Sequence, residues 1–150
     1  GQTLKIKLEV DTNPPPGFET EARYLLNPVP FAVRSYALPD LFAGKLHAIL
    51  CRRWKTRVKG RDWYDFVWFV ANHPRLRLAH LKARMVQTED WEARKDLTPA
   101  VFHDSLRSVI ESARIEAARR EVTPFVAHPE ALEVWSPEFF LDVARRIEFV

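Results

Sequence analysis

Residues 38–70 read LPDLFAGKLHAILCRRWKTRVKGRDWYDFVWFV, and the fold turns on how that stretch divides. Its pattern predicts two helices joined by a short basic hinge. Pro39 suits the first helical position, and Asp40 complements the positive end of the helix dipole. Apolar residues then dominate through Leu50. Arg52, Arg53, Lys55, Arg57, Lys59 and Arg61 follow, with Gly60 as the expected break and Asp62 as the expected N-cap of the second helix. WYDFVWFVA is apolar almost all round, the pattern of a buried central helix.

Three charges in this stretch sit where a plain core would not place them. At 100° per residue Lys45 falls between Leu41 and Ile49, close to Ala48. Asp62 and Asp65 are three apart and share a side of their helix with Phe66 and Phe69. A charge in apolar surroundings is costly unless it is paired or hydrogen-bonded. One reading is a buried Lys45–Asp62 or Lys45–Asp65 ion pair that only fixes helix packing. The other is a polar cleft for an anionic ligand, with the Arg and Lys run at its mouth.

The chain has 150 residues, enough for one domain with its own core. With 47% apolar and 29% charged residues it has the composition of a globular protein rather than a disordered one. The net charge is +3, and six of the 23 Lys and Arg fall between Arg52 and Arg61. That clustering points to an anionic partner, although a solvated basic loop has the same composition. Cys51 is the only cysteine, which excludes a disulfide framework and fits a reducing cytoplasm. It reads as a helix-surface or core thiol. No apolar run approaches the 18 or so residues of a membrane span, and no membrane span or signal peptide is expected.

At the front, Leu4, Ile6, Leu8 and Val10 alternate with charged residues, which predicts a strand with one buried face. Glu9 and Asp11 then lie side by side on the polar face, about 7 Å apart, as hard oxygen ligands suited to a divalent cation or as a merely solvated face. Asn13-Pro14-Pro15-Pro16-Gly17 stops the strand. Further strands are expected at Glu21–Leu26 and Phe31–Tyr36. An amphipathic strand needs something over its apolar face, so additional native residues upstream are also expected.

After His73-Pro74, helices are expected over Leu76–Val86, from Thr98-Pro99 to about Ala113, over Ile115–Val122, and from Ser136-Pro137 to about Glu148. The third-last of these has Val101, Leu106 (or Phe102), Val109, Ile110 and Ala113 as its expected core face. The last has Phe140, Val143, Ala144 and Ile147.

AGKLHAIL, with Lys45, and RDWYDF, with Arg61, Asp62, Tyr64 and Asp65, resemble the nucleotidyltransferase toxins of the AbiEii/AbiGii family. These are the toxin halves of type IV, abortive-infection toxin–antitoxin systems. The family pattern is a Lys in an A-x-K-L-x-A-L helix, a basic stretch, then [RK]-D-x-Y-D. LKIKLEVDTNPP also resembles the family's K-I-E-I strand, so the resemblance spans roughly residues 4–70. It implies an α+β fold, mostly helical. Residues 1–37 would be the strand region, a small β-sheet remnant of a polymerase-β-like nucleotidyltransferase domain. Residues 38–150 would be a helical bundle packed on it as one compact unit.

The resemblance further implies a magnesium-dependent transfer of a nucleotidyl group from a nucleoside triphosphate to an acceptor such as RNA or tRNA, with a cognate antitoxin as partner. Glu9 would be the third metal-site carboxylate, with Asp11 as the fallback. Lys45 would contact the triphosphate, with Arg57 and Arg61 adding phosphate contacts. Asp62 would position Lys45 or the acceptor, and Asp65 would brace the helix pair. Lys45, the RDWYD acids and Glu9 are therefore expected to converge on one hollow.

The family's first motif, a Gly-Ser pair followed by Asp-x-Asp, is not in this sequence. The chain is thus expected to be the C-terminal portion of such an enzyme and inactive alone. Two rival readings remain. One is a non-catalytic helical module that binds an anion, RNA or a protein through the basic run. The other is a helical ribonuclease toxin using the Arg75-x4-His80 spacing.

Overall fold

The computed structural model describes residues 3, 5–52 and 59–150. Strands β1 (Thr20–Leu25) and β2 (Phe31–Tyr36) form an antiparallel hairpin in the register Thr20↔Tyr36 to Leu25↔Phe31. Helices α1 (Leu38–Cys51) and α2 (Gly60–Asn72) follow. Next come β3 (Arg75–Leu76), α3 (Leu78–Gln87), α4 (Pro99–Ser112) and α5 (Ile115–Val122). Two short 3-10 turns at Thr123–Phe125 and Pro129–Leu132 lead to α6 (Pro137–Ala144) and β4 (Glu148–Phe149). β4 pairs in parallel with β3. The fold is α+β and mostly helical, as the sequence implies.

The core is an aromatic column through the helices. Phe42 of α1 stacks on Phe69 of α2 with centroids 5.0 Å apart and rings 2° from parallel. Phe66 of α2 reaches Phe140 of α6 at 6.3 Å, and Trp63 meets the same ring edge-on at 4.8 Å. Phe42, Phe66 and Phe140 are fully buried, and aromatic burial on this scale dominates core energetics. α2 and α1 are thereby locked side by side, which brings their charged residues together.

Several expectations give way to tertiary contacts. Residues 5–11 form no strand, and Ile6, Leu8 and Val10 are exposed. An alternating pattern becomes a strand only beside a partner, and none of the described residues supplies one. α2 begins at Gly60 rather than at Asp62. Its first amide is satisfied by Glu121 of α5, whose carboxylate accepts from Gly60 N–H at 2.7 Å. Nor is α2 buried all round: Tyr64 and Trp68 are exposed. α4 buries Phe102, Leu106 and Ile110, while Val101 faces solvent. α3 starts at Leu78, because Leu76 is taken into the two-residue ladder with β4. That same ladder ends α6 at Ala144, well short of Glu148.

The caps at Thr98 and Ser136 form as the sequence predicts. Thr98 Oγ1 accepts from Val101 N–H at 3.3 Å and Ser136 Oγ from Phe139 N–H at 3.1 Å. Ser136→Ala is expected to cost about 1 kcal/mol of stability, read as a lower urea midpoint at unchanged slope.

Candidate functional site

The cleft that matters opens between α1, α2 and α3. It encloses about 560 Å³ and is lined by Asp11, Tyr36, Asp40, Leu41, Gly44, Lys45, Ala48, Arg52, Arg61, Asp62, Asp65 and Arg84. Asp40, Gly44 and Ala48 recur every four residues on α1, so they form one face, and Lys45 stands beside it. Two small residues in that row keep the floor open. Asp62 and Asp65 come from the first two turns of α2.

Lys45 Nζ donates to Asp65 Oδ2 at 2.5 Å. The Lys45 side chain keeps 45% of its surface exposed, so the pair is a cleft-wall contact and not a buried lock. Asp62 does not pair with Lys45. It is buried, and its Oδ2 accepts from Arg52 at 2.8 Å. Behind the floor, the fully buried Asp40 carboxylate accepts Glu19 N–H at 3.0 Å and lies 3.0 Å from Arg77 Nε as an ion pair. Arg77 also reaches Glu19 Oε2 at 2.7 Å.

The structure gathers Lys45, Arg61, Asp62, Asp65 and Asp11 into one hollow. Glu9 stays outside it: it is exposed, and its carboxylate is bonded by the Lys7 ammonium. Glu9 and Asp11 therefore do not act as the neighbouring ligands that an extended strand would make of them, because residues 5–11 are not in a ladder. Arg57 falls in the segment outside the described residues.

Arg84 is the cleft residue the sequence reading misses. Its guanidinium carbon would sit 3.7 Å from a Cβ placed on Gly44, and its buried Nε has no hydrogen-bond partner. A signal was available: Arg84 is one turn from His80 and flanked by Leu81 and Met85, so it lies on the apolar face that α3 presents to α1. Asp40 is likewise more than a dipole partner, since its side chain ties α1 to Arg77.

Arg75 and His80 do not form a ribonuclease pair. Arg75 is exposed in β3, while His80 is fully buried with its Nδ1–H donating to Pro16 O at 3.1 Å. Phe18 and Tyr36 pack around the His80 ring, so this histidine fastens the N-terminal arm to α3.

An AbiEii toxin nucleotidyl transferase profile, from type IV toxin–antitoxin systems, matches residues 1–142. The chain belongs to that family. No match was found among curated proteins or among solved structures. The matched range includes Lys45 and the RDWYD acids, which line the hollow between α1 and α2. The carboxylates here are not arranged for magnesium. Asp40, Asp62 and Asp65 each face a cationic side chain, and among the described residues no three acids in the cleft converge on one point. No described helix is long and apolar enough to cross a membrane.

Proposed function

We propose that this AbiEii family member holds the triphosphate of a nucleoside triphosphate in the α1–α2–α3 cleft for nucleotidyl transfer to an RNA acceptor. The observation that carries this is the position of Lys45. Its side chain is half-exposed, with the ammonium held at 2.5 Å by one carboxylate, and it shares the hollow with Arg61 and Arg84. A half-exposed pair of this kind is worth little on its own, so a phosphate oxygen can take over the ammonium at small cost. Arg61 at the mouth and Arg84 on the far wall add planar donors suited to phosphate oxygens. Asp65 holds Lys45 at the cleft wall, and Asp62 fixes Arg52 beside it.

Asp11 is the acid of the first segment that lines the same hollow. A cognate antitoxin would act by occluding the cleft or its acceptor.

The test uses the native full-length protein, radiolabelled triphosphates, Mg²⁺ and total RNA. RNA is expected to become labelled, and Lys45→Ala is expected to lower the labelling at least tenfold. No labelling with any of the four triphosphates would overturn the transferase reading. Salt-sensitive, metal-independent RNA binding in its place would favour a non-catalytic anion-binding module, which the pairing of every cleft acid on α1 and α2 already suits.

A further inference from the structure

α1 carries a second chemical pair beside the cleft row, on the side that meets the end of α3. His47 and Cys51 are one turn apart and so lie on a common face. Opposite them α3 ends in a Schellman turn. Glu89 adopts φ 62°, its N–H donates to Val86 O at 3.1 Å, and Asp90 N–H donates to Met85 O at 2.9 Å. A side-chain-bearing residue in the left-handed region carries a conformational cost, and here that turn delivers Asp90 to the α1 face. One ring nitrogen of His47, Cys51 Sγ and one carboxylate oxygen of Asp90 all lie within 4.8 Å of one another.

We propose that His47, Cys51 and Asp90 form a zinc site that staples α1 to the end of α3, with water as the fourth ligand. The donor set is the argument. Sulfur, imidazole nitrogen and carboxylate oxygen on one point suit a borderline-soft ion and disfavour magnesium or calcium, which select oxygen alone. Tetrahedral zinc with bonds of about 2.0–2.3 Å needs donor atoms about 3.3–3.8 Å apart, so the cluster must close by up to about 1.5 Å. Thr88 supplies the supporting contact: its hydroxyl donates to Asp90 Oδ2 at 2.6 Å and lies 3.0 Å from His47 Nε2. One hydroxyl thereby orients two of the three ligands, as outer partners of metal sites do.

Binding exchanges a proton for the metal. Burial and the neighbouring Asp90 carboxylate push the Cys51 thiol up to about 12, so the apo thiol holds its proton. Zinc forms the Zn–S bond as that proton leaves to water. Burial, then Arg84, pushes the His47 imidazole down, which keeps it neutral with a lone pair to offer. Arg84 and Arg52 oppose an incoming cation, and the Cys51 thiolate and Asp90 carboxylate offset them with two negative charges. The staple would fix α3 against α1 beside the cleft, and with it Arg84.

The test is a titration of the chelator-treated 150-residue chain with Co²⁺. One equivalent is expected to produce a thiolate-to-cobalt charge-transfer band and the strong visible bands of four-coordinate cobalt, both removed by competing Zn²⁺. Cys51 is the only cysteine in the chain, so the sulfur band identifies the site without any variant. Cys51→Ser is expected to abolish that band, and Asp90→Asn and His47→Ala to weaken binding at least tenfold. No sulfur band in the wild-type chain would overturn the proposal. So would unchanged affinity in folded His47→Ala and Asp90→Asn proteins.

Discussion

Arg77→Met is expected to lower the free energy of unfolding by about 3–5 kcal/mol, the range seen when one partner of a buried ion pair is removed. Asp40 is the reason. Its side chain is wholly buried near the start of α1, with the Arg77 guanidinium 3.0 Å from one oxygen and Glu19 N–H on the other. Without Arg77 the carboxylate keeps one backbone donor and no countercharge. The same guanidinium reaches Glu19 in the arm that leads into β1, so the loss also loosens the hairpin's base. Asp40→Leu combined with Arg77→Met removes both charges and should recover most of the loss, because an apolar pair of similar volume carries no desolvation debt. Urea unfolding of the three variants measures this. A single-variant loss below about 1 kcal/mol would mean that water reaches Asp40 and that the pair is a surface one.

Gly60→Val is the second large expected effect, at least about 3 kcal/mol, the upper end for overpacking. A Cβ at Gly60 would lie 2.0 Å from Ala118 O and 2.9 Å from its carbonyl carbon, both backbone atoms of α5. Rotamer changes cannot relieve a clash with backbone, so α2 and α5 must separate. That separation would also break the Gly60 N–H to Glu121 contact that starts α2. Gly60→Ala already introduces the Cβ and should show most of the effect. Gly44→Ala is the control, since its Cβ would meet only the Arg84 side chain at 3.7 Å or more. Equal midpoints for Gly60→Ala and Gly44→Ala in thermal or urea unfolding would contradict the close approach.

The sequence was legible where local chemistry decides and illegible where a distant contact does. The Thr98-Pro99 and Ser136-Pro137 starts are local, and both caps form. The same holds for the strands β1 and β2, though not for their pairing, and for Lys45 with the RDWYD acids, which line one hollow. The ends of α3 and α6 went astray because β3 and β4 pair across 73 positions, which no local window contains. Gly60 reads as a break in sequence, yet it opens α2, because the space it leaves is filled by α5. Glu9 was placed by an alternation that has no partner strand among the described residues. Arg84 and Arg77 escape a sequence reading for a common reason: a basic residue reads as solvated until the fold shows a carboxylate or a cleft beside it.

The claim on which the functional account rests is that the Lys45 ammonium binds a triphosphate in this cleft. Equilibrium titration of the native protein with each ribonucleoside triphosphate, with and without Mg²⁺, tests it most directly. The account predicts saturable binding of at least one of the four, weakened by added salt, lowered at least tenfold by Lys45→Ala and to a smaller extent by Arg61→Gln. Binding that is unchanged in a folded Lys45→Ala protein, or no binding of any triphosphate, would contradict it.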